Sequence, residues 1–212
     1  KNKLSYFNRI IKLLIQIQSI KHRKVKNFRN QNYIIPKYDK KILINEANLF
    51  CDWYAKNNLS KLRKKRFCKK FKKIIKELTL KLKLKDNIFV HRDFHVSNLM
   101  SVKNQIGLID SQDALIGNKA YDLASLIDDV RLKTSYSFKE KIFKFYTKKQ
   151  KNLDIKKFKN DFEILSVLRN LKIIGIFTRL ALRDRKKNYL RFIPYTWPVS
   201  YTHLRAHETS TD

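Results

Sequence analysis

Glycine and proline are scarce, with three of each in 212 residues. No linker or low-complexity segment is legible, and the length suits one domain or one large lobe. The two cysteines, Cys51 and Cys68, are too few for a disulfide framework or a cysteine metal cluster. They fit a reducing, cytoplasmic compartment. No apolar run reaches the roughly 18 residues of a membrane span. The most apolar stretches, 10–20 and 171–182, are broken by Lys12, Lys172 and Arg179. Methionine is absent at position 1, where Lys1 stands, so the true N-terminus is expected upstream and no targeting signal can be read. Acid is scarce too: 18 Asp and Glu face 49 Lys and Arg, a net charge of +31.

Hydrophobic residues make up 43% of the chain, which supplies a core and argues against disorder. The positive charge invites a nucleic-acid surface. It comes, however, from 36 Lys against 13 Arg spread over almost the whole chain, beside 23 Ile and 17 Asn. Codons for Lys, Asn and Ile are AT-rich, so a low-G+C genome accounts for the pattern. Arg, the residue suited to bidentate phosphate contacts, is not enriched. A nucleic-acid partner is therefore not expected, although the field attracts anionic ligands, nucleotides included, at low salt. Lys, Asn and Ile supply 76 of the first 198 residues and none of the last fourteen. Residues 199–212 read as a non-native tail. His203 and His207, whose spacing suits a metal pair, are set aside with it.

Periodicity predicts a mainly helical α+β chain. Helices are expected over 4–20, 40–57, 60–83, 120–132 and 138–148, with one long helix or two over 156–183. Residues 27–37 read as a polar loop. Ser60 is placed to cap the long basic helix that follows it to about Lys83. Leu62, Phe67, Phe71, Ile74, Ile75 and Leu78 give that helix an apolar face. Between the helices the period shortens. Ile88-Phe89-Val90 reads as a short buried strand. Residues 99–102 and 105–109 read as two more, joined by a turn at Lys103-Asn104.

The chemistry is concentrated in His91-Arg92-Asp93-Phe94-His95-Val96-Ser97-Asn98, followed by Ile109-Asp110. Asp93 and Asn98 share a tight loop after an apolar strand, and Asp110 ends a later one. A hairpin of that length returns Asp110 towards Asn98. Phosphoryl transfer needs few protein groups: a carboxylate to orient and deprotonate the attacking hydroxyl, and oxygen ligands for Mg²⁺. Asp93 can be the first, and Asn98 and Asp110 the second. Taken singly, each could be a turn or helix cap. His91 and His95 could be a metal pair, but they follow a strand and lack the Glu of HExxH. His91 is expected to prop the loop, and Arg92 to hold its backbone or a nearby carboxylate.

This pattern resembles the aminoglycoside-phosphotransferase and choline-kinase superfamily, relatives of the protein kinases. The resemblance continues through Asp110-Ser111-Gln112-Asp113-Ala114, Gly117, Tyr121-Asp122-Leu123-Ala124-Ser125-Leu126 and Asp129-Val130-Arg131. That longer string is similar to the bacterial anomeric kinases of N-acetylmuramic acid and N-acetylglucosamine. Upstream, Ile35-Pro36-Lys37-Tyr38-Asp39, Glu46 and Leu49-Phe50-Cys51-Asp52-Trp53-Tyr54 look alike as well. The resemblance implies a protein-kinase-like C-terminal lobe over 1–198, with a small β-hairpin at the active site. It implies transfer from ATP or GTP, with Mg²⁺, to a small-molecule hydroxyl, by a cytoplasmic monomer. Asp93 would be the base, Asn98 and Asp110 the metal ligands, and Asp122 the support of the loop from a helix start. Asp113 and Arg131 would contact sugar or loop, and Glu46 and Trp53 would line the acceptor pocket or serve as helix surface and core.

Two departures stand out. Ser111 replaces the aromatic that often follows the metal Asp. Nothing resembles the N-terminal β-lobe with its phosphate-covering loop, since the three glycines are isolated. A lobe alone is expected to turn over little. Aminoglycoside and choline-type kinases are the alternatives within the superfamily, and a basic nucleic-acid module or a pseudokinase scaffold outside it.

Overall fold

The structure is a computed structural model that describes residues 3–21, 23–103 and 105–197. Along the chain run α1 (Lys3–Gln18), β1 (Lys24–Lys26), β2 (Asn32–Ile34), α2 (Lys40–Leu49), a π-helical turn (Phe50–Ala55), α3 (Lys56–Asn58) and α4 (Lys61–Leu80). There follow β3 (Asp86–Val90), β4 (Leu99–Val102), β5 (Gln105–Leu108), β6 (Leu115–Asn118), α5 (Tyr121–Ile127), α6 (Tyr136–Lys148) and α7 (Ile155–Leu182). The described residues are mostly helical, with three two-stranded antiparallel sheets. None of their helices is long and apolar enough to cross a membrane. The tail 199–212 and Asn104 of the expected hairpin turn lie outside the described residues. The chain divides into two compact units, Lys1–Tyr38 with Lys83–Phe162, and Asp39–Leu82 with Glu163–Asp212.

In the first unit α1 buries Phe7, Ile10, Ile11, Leu14 and Gln18, a helical stripe facing α6. Phe7 meets Phe138 edge-on at 5.1 Å. The Tyr146 hydroxyl, fully buried, donates to Gln18 Oε1 at 2.6 Å, and Gln18 Nε2 donates to the Lys119 carbonyl at 2.9 Å. Burial drives the Tyr146 pKa upward, so the hydroxyl stays a donor. Ser135 caps α6, its Oγ accepting from Phe138 N at 3.2 Å. Phe158, near the start of α7, stacks on Tyr146 at 5.3 Å.

The sheet that leads into the His91–Asn98 loop is β3 on β6, with Phe89 opposite Ile116 and Val90 opposite Leu115. β6 was not expected: Leu115-Ile116-Gly117-Asn118 carries two turn-formers, and its partner lies far back in sequence. Gly117 is required there, because a Cβ would stand 2.9 Å from Cβ of Tyr38. The Pro36–Tyr38 segment docks on β6 through Ile116 N to Pro36 O and Tyr38 N to Ile116 O, both 2.8 Å. Buried Asp161 of α7 ties the entry to β3. It accepts from Lys83 N at 2.8 Å, Leu84 N at 2.9 Å and Asn118 Nδ2 at 2.7 Å.

Two expectations in this unit are corrected. The polar loop at 27–37 contains β2, which pairs with β1 in an exposed hairpin. Its turn is built by Asn27 Oδ1, which accepts from Arg29 N and Gln31 N at 2.9 Å each. The helix expected over 120–132 ends at Ile127. Asp128 and Asp129 follow it, both buried. Their carboxylates are drawn to Lys139 Nζ at 2.7 Å and Val96 N at 3.1 Å. Short polar side chains that find such partners favour leaving the helix.

In the second unit Asp39 caps α2, accepting from Ile42 N at 2.9 Å. The helix expected over 40–57 is interrupted by the π-helical turn that carries Phe50 and Trp53. Ser60 stands at the start of α4, but its side chain makes no capping bond. Phe71, Ile75 and Leu78 of α4 are buried, whereas Leu62, Phe67 and Ile74 are exposed. Phe71 stacks on Phe50 at 5.3 Å. α7 is one helix, and buried residues surround it on all sides from Ile164 to Phe177. That all-round apolarity is why its sequence left one helix or two open. Gly175 lets α7 touch α2: a Cβ there would sit 2.4 Å from the Leu49 carbonyl carbon. Gly175→Ala is expected to lower stability by about 1–3 kcal/mol or more, because backbone cannot yield as a side chain does. An unchanged denaturation midpoint would refute that packing.

Candidate active site

β3 ends at fully buried Val90, and the chain turns into the loop from His91 to Asn98. The turn puts Arg92 at φ +72°, a left-handed conformation that costs a non-glycine residue on the order of 1–3 kcal/mol. Asp122, in the first turn of α5 and fully buried, offsets that cost. Its Oδ2 accepts from His91 N at 2.7 Å and its Oδ1 from Arg92 N at 3.0 Å. The Arg92 guanidinium lies 5.3 Å from the Tyr38 ring and donates to the Asp113 carbonyl at 3.1 Å.

Beyond Asp93 the loop folds on itself. His95 N donates to Asp93 O, and Asn98 N to His95 O, each at 3.0 Å. Val96–Asn98 form a 3₁₀ turn whose leading amide, Val96 N, donates to Asp129 Oδ2 at 3.1 Å. Asn98 Nδ2 donates to the Asp93 carbonyl at 3.0 Å. β4 and β5 then form the expected hairpin, Leu99 opposite Leu108, and Ile109 N closes it on Asn98 O at 3.1 Å. Asp110 follows at φ +70°, exposed, with Gln112 Nε2 donating to its Oδ1.

Backbone and amide bonds thus gather Asp93, Asn98 and Asp110 on one loop and hairpin. The Asp93 carboxylate is half-buried and makes no hydrogen bond to a described residue. The loop holds this residue by its carbonyl. Asn98 spends its Nδ2 inside the loop, which leaves Oδ1 to face a ligand. With Asp110, this donor set is all oxygen and suits a hard cation. Among the described residues no three His, Cys, Asp or Glu side chains form a metal cage. A cation here would take part of its shell from water or from a bound phosphate.

His91 is fully buried, against Phe94 at 6.3 Å between ring centroids. Burial lowers its pKa, opposed by the carboxylates of Asp93 and Asp110 and the nearby carbonyls of Ile109 and Asp93. Neither ring nitrogen has a hydrogen bond of good geometry. The folded state therefore prefers neutral His91. Its stabilising effect is complete above the unfolded pKa of about 6.5 and is lost as pH falls towards the lower folded value. The denaturation midpoint should fall as pH drops through about 6.5 and below, less so in His91→Gln. An equal drop in both proteins would exclude His91 as the cause.

Arg131 is half-buried, its Nη1 held by Asp129 Oδ1 at 3.1 Å, so it joins the loop through Asp129. The Asp113 carboxylate is exposed and bonds to no described residue. Glu46 and Trp53 lie in the second unit. Glu46 pairs with Lys172 Nζ at 3.0 Å, and Trp53 is half-buried on the π-helical turn. Asp129, Asp161 and Gln112 were missed as participants. For the two aspartates the available signal was an acid beside apolar helix in a chain with 18 acids against 49 bases, since such an acid tends to be buried and paired.

Residues 5–153 match the model of the phosphotransferase enzyme family, and the chain belongs to that family. Within it the chain is similar to the N-acetylmuramate/N-acetylglucosamine kinase of Neisseria meningitidis serogroup B. The two are 32% identical over 167 residues, covering 76% of this chain and 50% of that protein. The protein of the same name from Pseudomonas aeruginosa is also 32% identical over 167 residues, covering 76% and 49%. That from Caulobacter vibrioides is 34% identical over 115 residues, covering 52% and 32%. The chain spans about half the length of the first two relatives.

Proposed function

We propose that this chain is the C-terminal lobe, residues 1–198, of a kinase that transfers the γ-phosphoryl group of ATP or GTP to an amino sugar. The acceptor is N-acetylmuramate or N-acetylglucosamine, phosphorylated at its anomeric hydroxyl. The observation that carries the chemistry is the Asn98 side chain on the Asp93 carbonyl, beside Ile109 on Asn98. It keeps Asp93 and Asn98 on one turn, with Asp110 just past the end of the hairpin that closes on Asn98. The acceptor is supported by the name that the three relatives share.

Asp93 accepts a hydrogen bond from the sugar hydroxyl, which aims the hydroxyl oxygen's lone pair at the γ-phosphorus, and takes the proton as the new O–P bond forms and the bond to the nucleoside diphosphate breaks. The nucleoside diphosphate leaves on the opposite side. Asn98 and Asp110 would hold Mg²⁺, which would supply positive charge against the phosphates. Asp122, His91 and Arg92 keep the loop in shape. Asp113 is a better partner for a sugar hydroxyl than Glu46, whose carboxylate is engaged by Lys172.

The test is Mg²⁺-dependent transfer by the full-length kinase, offered N-acetylmuramate, N-acetylglucosamine, an aminoglycoside and choline. Sugar phosphorylation establishes the reading. Transfer to choline or the aminoglycoside alone replaces the acceptor, and transfer to none of them overturns it.

A further inference from the structure

Two buried carboxylates hold the loop, at different points. Asp122 takes the amides of His91 and Arg92, just before Asp93. Asp129 takes the amide of Val96, just before Asn98. Asp129 is buried and is itself fixed by Arg131, whose N and Nη1 both donate to its Oδ1 at 3.1 Å. Its neighbour Asp128 points elsewhere, to Lys139 of α6.

We infer that Asp129 is a positioning residue for the metal ligand Asn98, separate from the support that Asp122 gives to Asp93. The inference deepens the proposed function and rests on it. Only the Val96–Asn98 turn stands between the Asp129 bond and Asn98, and that turn sets the direction of the Asn98 amide. With the Val96 anchor lost, Nδ2 no longer has a fixed path to the Asp93 carbonyl, and Oδ1 no longer has a fixed aim. The effect falls on the cation before it falls on the acceptor. In Asp129→Asn the remaining oxygen keeps the most bonds by staying on the two Arg131 donors, so the amide nitrogen replaces Oδ2, the Val96 bond is lost and the volume is kept.

The experiment uses the full-length kinase with Mn²⁺ as probe, in the presence of a non-hydrolysable nucleotide, read by electron paramagnetic resonance. Asp129→Asn is expected to raise the Mn²⁺ concentration for half-saturation about 10- to 100-fold, as loss of a group behind a metal ligand does. The KM for the acceptor should move much less. Amide exchange at Val96 and Asn98 should accelerate in the same variant. Asp128→Asn, which breaks a buried ion pair one residue away, should lower the denaturation midpoint and leave Mn²⁺ half-saturation where it was. Equal Mn²⁺ affinity in Asp129→Asn and the unaltered protein overturns the inference and leaves the proposed function standing. So does an equal loss in Asp128→Asn, because it would reduce the effect to general destabilisation. Failure of the unaltered protein to bind Mn²⁺ with nucleotide overturns both.

Discussion

Asp93→Asn is expected to lower the proposed phosphoryl transfer by the full-length protein at least about a hundredfold, within the range for a positioned general base. The folded loop makes this a clean substitution. His95 N and Asn98 Nδ2 both bond to the Asp93 carbonyl, which asparagine retains. The lost group is the carboxylate, which bonds to no described residue. Stability should therefore stay within about 0.5 kcal/mol, as at sites that remove no packing or bond. Steady-state turnover beside a denaturation curve separates the two effects. Near-normal turnover would remove Asp93 as the base, and a large fall in stability would show that its carboxylate holds the loop after all.

Asp122→Ala should act the opposite way, through the fold first. Two amides, His91 N and Arg92 N, lose a charged acceptor. The His91 amide is buried and the Arg92 amide partly so, and water reaches His91 poorly. Each buried donor left without a partner costs about 1–3 kcal/mol, so the pair amounts to about 2–6 kcal/mol. Arg92 also loses the bond that fixes its left-handed backbone. Trp53 and Trp197 give a fluorescence signal for the unfolding curve. A midpoint within error of the unaltered protein would mean that the loop does not depend on this carboxylate.

Much of the site could be read from the sequence because it is local. Asp93 and Asn98 are five residues apart, and a hairpin of predictable length leads from Asn98 to Asp110. Helices α1, α6 and α7 were legible for the same reason, since the apolar period needs only neighbours. β6 was not, because Gly117 and Asn118 look like a turn until Tyr38 is seen packed on the glycine. Strands β1 and β2 are exposed along their length and carry no burial pattern to read. The early end of α5 was hidden for a different reason. Asp128 and Asp129 carry no mark in sequence of the lysine and the amide that they reach for.

The sequence alone determined which residues are candidates for the chemistry, how far apart they stand, and which segments have a helical period. These are properties of neighbouring residues, set by backbone geometry and the size of the step between side chains. Only the tertiary structure decided which buried carboxylate serves which amide. Asp122 reaches back 31 residues to His91, Asp129 back 33 to Val96 and Asp161 back 78 to Lys83. Burial makes each pairing compulsory, since a charge taken out of water must find partners. The path of the chain chooses the partner, and no local pattern encodes that path.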